Sequence, residues 1–88
     1  MFPFGRIVAT PGALTAMEEA RIDGLALLAR HGHGDWGAID PGDFGLNEEA
    51  LRTGARLMSV YPLPTGEVIW IITEADRSVT TLLLPDDY

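Results

Sequence analysis

The 88-residue chain contains neither cysteine nor lysine. Without cysteine there is no disulfide and no thiolate metal site, so a metal would have to be held by histidine and carboxylates. Without lysine, all six basic residues are arginine, and they face thirteen acids for a net charge of −7. A body this small and this negative repels phosphate, which argues against direct nucleic-acid binding through a broad basic face. No apolar run reaches the roughly 18 residues that a membrane span needs. The start, Met1-Phe2-Pro3-Phe4-Gly5-Arg6, has neither the basic region nor the apolar stretch of a signal peptide. The expectation is a cytoplasmic protein with no membrane attachment. The length allows one hydrophobic core, hence a single domain over 1–88.

The charge that is present is unevenly placed. From His31 to Leu51 there is no Lys or Arg, yet Asp35, Asp40, Asp43, Glu48 and Glu49 fall in that stretch. Some of these acids suit helix N-termini. The rest predict a local negative patch, with Trp36 beside it, that would bind a protein partner carrying a basic surface. A net charge of this size also simply keeps a small domain soluble.

Periodicity divides the chain into an α half and a β half. Arg6-Ile7-Val8-Ala9-Thr10 is β-prone, with Thr10 placed as an N-cap and Pro11 as a first helical residue. Leu14 and Met17, with Ala13 and Ala20, mark the inner side of this first helix. A second helix starts at the cap Asp23, with Leu25, Leu28 and Ala29 at helical spacing and Leu27 widening the stripe. Gly32 and Gly34 stop it. Asp35–Gly42 reads as a loop, Asp43 as the cap of a third helix running to about Thr53, and Gly54 as its stop. Beyond Gly54 the pattern alternates. Arg56–Tyr61, Glu67–Thr73 and Val79–Leu84 are three strands separated by turns at Pro64-Thr65-Gly66 and Ala75–Ser78. The expected fold is α+β: an N-terminal strand and three short helices packed on a three-stranded antiparallel meander. The Glu67–Thr73 strand is apolar on both faces, so it should be central, and its second face is open to intramolecular cover or to a homodimer.

The stretch Arg30-His31-Gly32-His33-Gly34-Asp35-Trp36-Gly37 resembles the opening of a zinc motif in its His-x-His-x-Asp core. Metallo-β-lactamase-like hydrolases continue that motif with a further His, where this chain has Trp36, and they need far more than 88 residues. The chain has only two histidines, so the remaining ligands of such a site would be carboxylates. No metal and no cofactor are expected. Paired carboxylates for acid–base work are equally available from the acidic stretch, but two helix caps and a solvated first turn account for them. One catalytic alternative remains. Small metal-free ribonucleases place His, Arg and Thr or Ser on an antiparallel sheet, and His31, Arg56, Arg77 and Thr80 form such a candidate set for a toxin. Ser59 and Ser78 are the serines that His31 could activate.

His31, Gly34-Asp35-Trp36-Gly37, Asn47, "ALRTGARLMSVY", "PTGEVIWIITEADRSVTTLLLP" and Tyr88 together resemble a family of small bacterial proteins carried on plasmids and other mobile elements. Some of these bear the label of a type I restriction subunit. The likeness covers nearly the whole chain and is strongest from His31 to Tyr88. In that family the first His and the Gly-Asp-Trp are typical, while the position of His33 varies. A methyltransferase is excluded, because 88 residues cannot hold its cofactor domain. The resemblance implies a mobile-element accessory protein, of the kind that includes anti-CRISPR and anti-restriction inhibitors of host nuclease complexes.

Overall fold

The computed structural model describes residues 2–88. Strand β1 (Arg6–Ala9) leads into helix α1 (Pro11–Ala20), followed by α2 (Gly24–Gly32) and α3 (Pro41–Thr53). Strands β2 (Leu57–Pro62), β3 (Val68–Thr73) and β4 (Val79–Leu83) come next, and a short 3-10 turn, Pro85–Asp87, closes the chain.

β2, β3 and β4 form the expected antiparallel meander, with Met58 opposite Ile72 and Ile72 opposite Thr81. β1 does not stand apart from it. It lies parallel to β4, Arg6 opposite Val79 and Ala9 opposite Leu82, so the sheet is four-stranded and mixed, in the order β1-β4-β3-β2. Entry to this position depends on Gly5, whose φ of +66° places it where a Cβ would strike the carbonyls of Arg77 and Ser78. The next amide, Arg6 N–H, donates to Ser78 O at 2.9 Å. A parallel strand has no hairpin to announce its partner, which is why its pairing is invisible in local sequence.

One sheet face is covered by helices. Ile69, Ile71, Tyr61 and Leu82 point into a core with Ala13, Ala16, Met17, Leu27 and Leu28. Burial of these side chains is the main stabilising term. α1 is held at its start by Thr10, whose hydroxyl accepts from Ala13 N–H at 3.1 Å. Asp23 caps α2 in the same way through Leu25 N–H at 2.9 Å. The inner stripes differ from expectation: Leu14, Leu25 and Ala29 face outward, and Ala16 and His31 take places in the interior. The opposite sheet face carries half-buried Val60, Val68 and Trp70. The Tyr88 ring sits across Trp70, with centroids 5.9 Å apart.

The β2 edge is closed by the polypeptide itself. Val60 N–H donates to Trp36 O at 2.9 Å and Ala38 N–H to Val60 O at 2.8 Å. Gly37, at φ +74°, is required there because a Cβ would meet Val60 O. One residue pair further along, the Asn47 amide of α3 donates to Met58 O at 2.6 Å and accepts from Met58 N–H at 3.1 Å. These contacts fasten α3 beside β2. The helix begins at Asp40–Pro41 and not at Asp43, because a proline at the first helical position loses nothing by lacking an N–H.

Candidate functional site

His31 is the most deeply placed functional group in the chain. α2 delivers it, fully buried, between β2, β3 and β4. Its Nδ1 is 2.5 Å from Ser59 Oγ and its Nε2 is 2.9 Å from Thr73 Oγ1. Thr73 Oγ1 is 2.8 Å from Thr80 Oγ1, and Thr80 in turn donates to Phe4 O at 2.8 Å. A carbonyl can only accept, which fixes the direction of the whole relay. Thr80 uses its proton on Phe4, so it accepts from Thr73; Thr73 therefore accepts from His31 Nε2–H; His31 Nδ1 is left to accept from Ser59. The ring is neutral and in a single tautomer. Burial, and then the Arg77 charge, push its pKa down to about 4.

This arrangement brings together two of the proposed ribonuclease residues, His31 and Thr80, and leaves out the other two. Arg77 donates to Ala55 O at 2.7 Å and to Ala50 O at 3.2 Å, which satisfies a carbonyl in the last turn of α3. Arg56 donates to the Tyr88 hydroxyl at 2.6 Å, with its guanidinium 5.5 Å from that ring. The Ser59–His31 contact has the spacing of a nucleophile and its base. Both residues have zero exposure, as do Thr73 and Thr80, so no substrate atom reaches them. The network is a satisfied polar core. His33 caps α2 at the surface, and among the described residues no three His, Asp or Glu side chains come together to hold a metal.

The acidic stretch is exposed, but its members are used differently. Asp35 accepts from Arg30 Nε at 2.7 Å, and that bond holds its carboxyl below the usual range. Arg30 also lies 4.5 Å from the centre of the Tyr61 ring, whose hydroxyl donates to Asp35 O at 2.6 Å. Burial is the main reason the Tyr61 pKa is pushed up to about 12. Trp36, expected at the binding surface, is a core residue instead, 2% exposed and packed with Ala50 and Leu57. Its indole N–H donates to Glu48 at 2.9 Å, because a buried indole N–H needs an acceptor. Asp40 caps α3 by position alone, with no side-chain hydrogen bond. At about 100° per residue, Asp43 and Glu48 leave α3 roughly 140° apart and Glu49 about 100° further on. The carboxylates ring the helix and do not form one face.

Between them lie groups that the search for charge did not single out. Phe44 is 51% exposed and Leu46 is 65% exposed, and Leu51 is also exposed. Gly42 and Gly45 have nothing within 4 Å of a built Cβ. The outer surface of α3 thus combines acids, exposed apolar groups and Arg52 with open space at two glycines. In the sequence Phe44, Asn47 or Glu48, and Leu51 mark the faces of this helix; the fold buries Asn47 and Ala50 and leaves Phe44, Leu46 and Leu51 outside. Comparison of the chain with family models, curated proteins and solved structures finds no match.

Proposed function

We propose that the chain is a binding module whose α3 surface engages a basic, partly apolar face of a host protein. The anti-defence role implied by its resemblance to mobile-element proteins gives the setting, with a CRISPR or restriction nuclease complex as the target. The observation that carries this reading is the exposure of Phe44, Leu46 and Leu51 on a helix whose other outward positions include three carboxylates and two glycines, with Arg52 its one cation. Large apolar groups exposed on a surface mark an interaction site, and Phe44 and Leu51, seven residues apart, leave α3 on the same side while Leu46 leaves it on another. Here they supply buried area, while Asp40, Asp43, Glu48 and Glu49 accelerate encounter and select a cationic partner. The two glycines let a partner backbone approach α3 closely. Asp35 is committed to Arg30 and Trp36 to the interior, so neither is a direct contact in this reading. The sealed state of His31, Ser59, Thr73 and Thr80 supports a binding role over a hydrolytic one.

The test is capture from a host lysate with the wild-type chain beside Phe44→Ser/Leu46→Ser, a variant that leaves the core untouched. The reading expects one stoichiometric partner that the variant fails to retain and that high salt weakens. A partner held equally by both proteins, or insensitive to salt, removes it.

A further inference from the structure

The two sheet edges are not equivalent. The β2 edge is sealed by Trp36, Ala38 and Asn47. Among the described residues no segment pairs with the β1 edge. Arg6 N–H and Thr10 N–H both donate toward β4, to Ser78 O and Leu82 O at 2.9 and 3.0 Å. In a parallel ladder the alternate residues point the other way, so Ile7 and Ala9 present their N–H and C=O outward. Above this edge lies an apolar groove lined by Ile7, Ala9, Leu14, Leu25 and Leu28, with Ile7, Leu14 and Leu25 about half or more exposed. The strand is short, four residues with Arg6 its one charge, but no proline or bulge interrupts Arg6–Ala9.

We infer that the chain forms a two-fold dimer by antiparallel pairing of β1 with the β1 of a second copy. The register follows from the outward residues. Ile7 exchanges both backbone hydrogen bonds with the partner's Ala9, Ala9 does the same with the partner's Ile7, and the two Val8 residues meet on the axis. This alignment sets Arg6 opposite the partner's Thr10. Thr10 donates its hydroxyl to Asp87 at 2.7 Å, so a carboxylate already waits at that end of the strand. Arg6 has no carboxylate partner within its own chain among the described residues. The antiparallel arrangement therefore brings a cation onto an anion twice, once at each end, on a protein whose net charge otherwise disfavours self-association. A parallel pairing, or a shift by one residue, breaks both the hydrogen bonds and the charge match. The result is a continuous eight-stranded sheet with Ile7, Leu14 and Leu25 of both copies enclosed on its helical side. α3 lies at the far edge, beside β2, so the dimer is bivalent for the partner proposed above.

Sedimentation across a dilution series of the full chain tests this. A four-residue strand pairing with three apolar side chains a side makes a modest contact, so a dissociation constant of about 10–100 µM is expected. The mass should move from 9.5 kDa toward twice that as concentration rises. Leu25→Glu and Arg6→Glu should each weaken the dimer tenfold or more while circular dichroism and melting stay native. Asp87→Arg should weaken the dimer likewise, with some loss in melting because Asp87 also accepts from Thr10 and from Leu84 N–H, and combining it with Arg6→Glu should restore association, because the reversed charges again face each other. A wild-type chain that remains monomeric at about 1 mM overturns the proposal and leaves the edge to a foreign strand. A dimer that survives Leu25→Glu and Arg6→Glu but is lost in Phe44→Ser/Leu46→Ser overturns it as well, by placing self-association on α3.

Discussion

The interior around His31 and the outer surface of α3 treat polar and apolar groups in opposite ways. Around His31, four polar side chains from four elements are sealed from water, and every hydroxyl proton has one destination. On α3, apolar Phe44 and Leu46 are left in solvent and the carboxylates find few partners. The side chains of His31, Ser59, Thr73 and Thr80 are buried, whereas α3 presents most of its side chains to solvent. Burial, and not residue type, decides which polar group is available for chemistry.

The largest expected effect breaks the interior. His31→Ala removes a buried ring and leaves Ser59 and Thr73 without their partner, costing about 3–4 kcal/mol of stability. Thermal or denaturant unfolding measures it, and a loss below about 1 kcal/mol would mean the ring is not packed as described.

Acid probes the same group without mutation. The folded pKa of His31, about 4, lies below its usual 6.5. A base with a depressed folded pKa binds its proton more readily when unfolded, so this contribution is complete above about pH 6.5 and lost as pH falls toward 4. The difference is about 3 kcal/mol at its full extent. Melting temperature measured from pH 7 to pH 4 should fall by more in the wild type than in a His31→Ala background corrected for its lower stability. Equal slopes would contradict a neutral buried ring.

Much of this division was legible before any coordinates. Thr10, Asp23 and Gly54 bound their helices as capping chemistry requires, and the alternation after Gly54 placed all three meander strands. Three features were not local and so left no local trace. The parallel docking of β1 depends on a strand more than seventy residues away. The burial of His31 depends on Ser59 and Thr73, which no spacing connects to it. The inward turn of Trp36 depends on Ala50 and Leu57 and on Glu48 accepting its N–H. The acidic stretch was visible as composition, but helical geometry, which spreads Asp43, Glu48 and Glu49 around α3, is what determines how it can be read by a partner.

Smaller effects sharpen the α3 side of the comparison. Asn47→Ala releases both Met58 backbone bonds and should cost about 1–2 kcal/mol, with faster amide exchange along β2 as the local signature. Unchanged β2 protection would show that α3 is not fastened through Asn47. Gly45→Ala fills open space on a helix and should raise stability by roughly 0.5–1 kcal/mol. If the open space at Gly45 serves a partner, the same variant binds less well despite being more stable. A variant that is both more stable and equally tight would leave Gly45 without a role at the interface.

The central claim is that the histidine chemistry is closed off. Long-range proton–nitrogen NMR of the imidazole of His31 tests it most directly. The account predicts the Nε2–H tautomer at pH 6, and no titration until the pH approaches 4. A ring that titrates near 6.5, or that carries its proton on Nδ1, would contradict the sealed relay and return His31 to the list of groups able to move protons on a substrate.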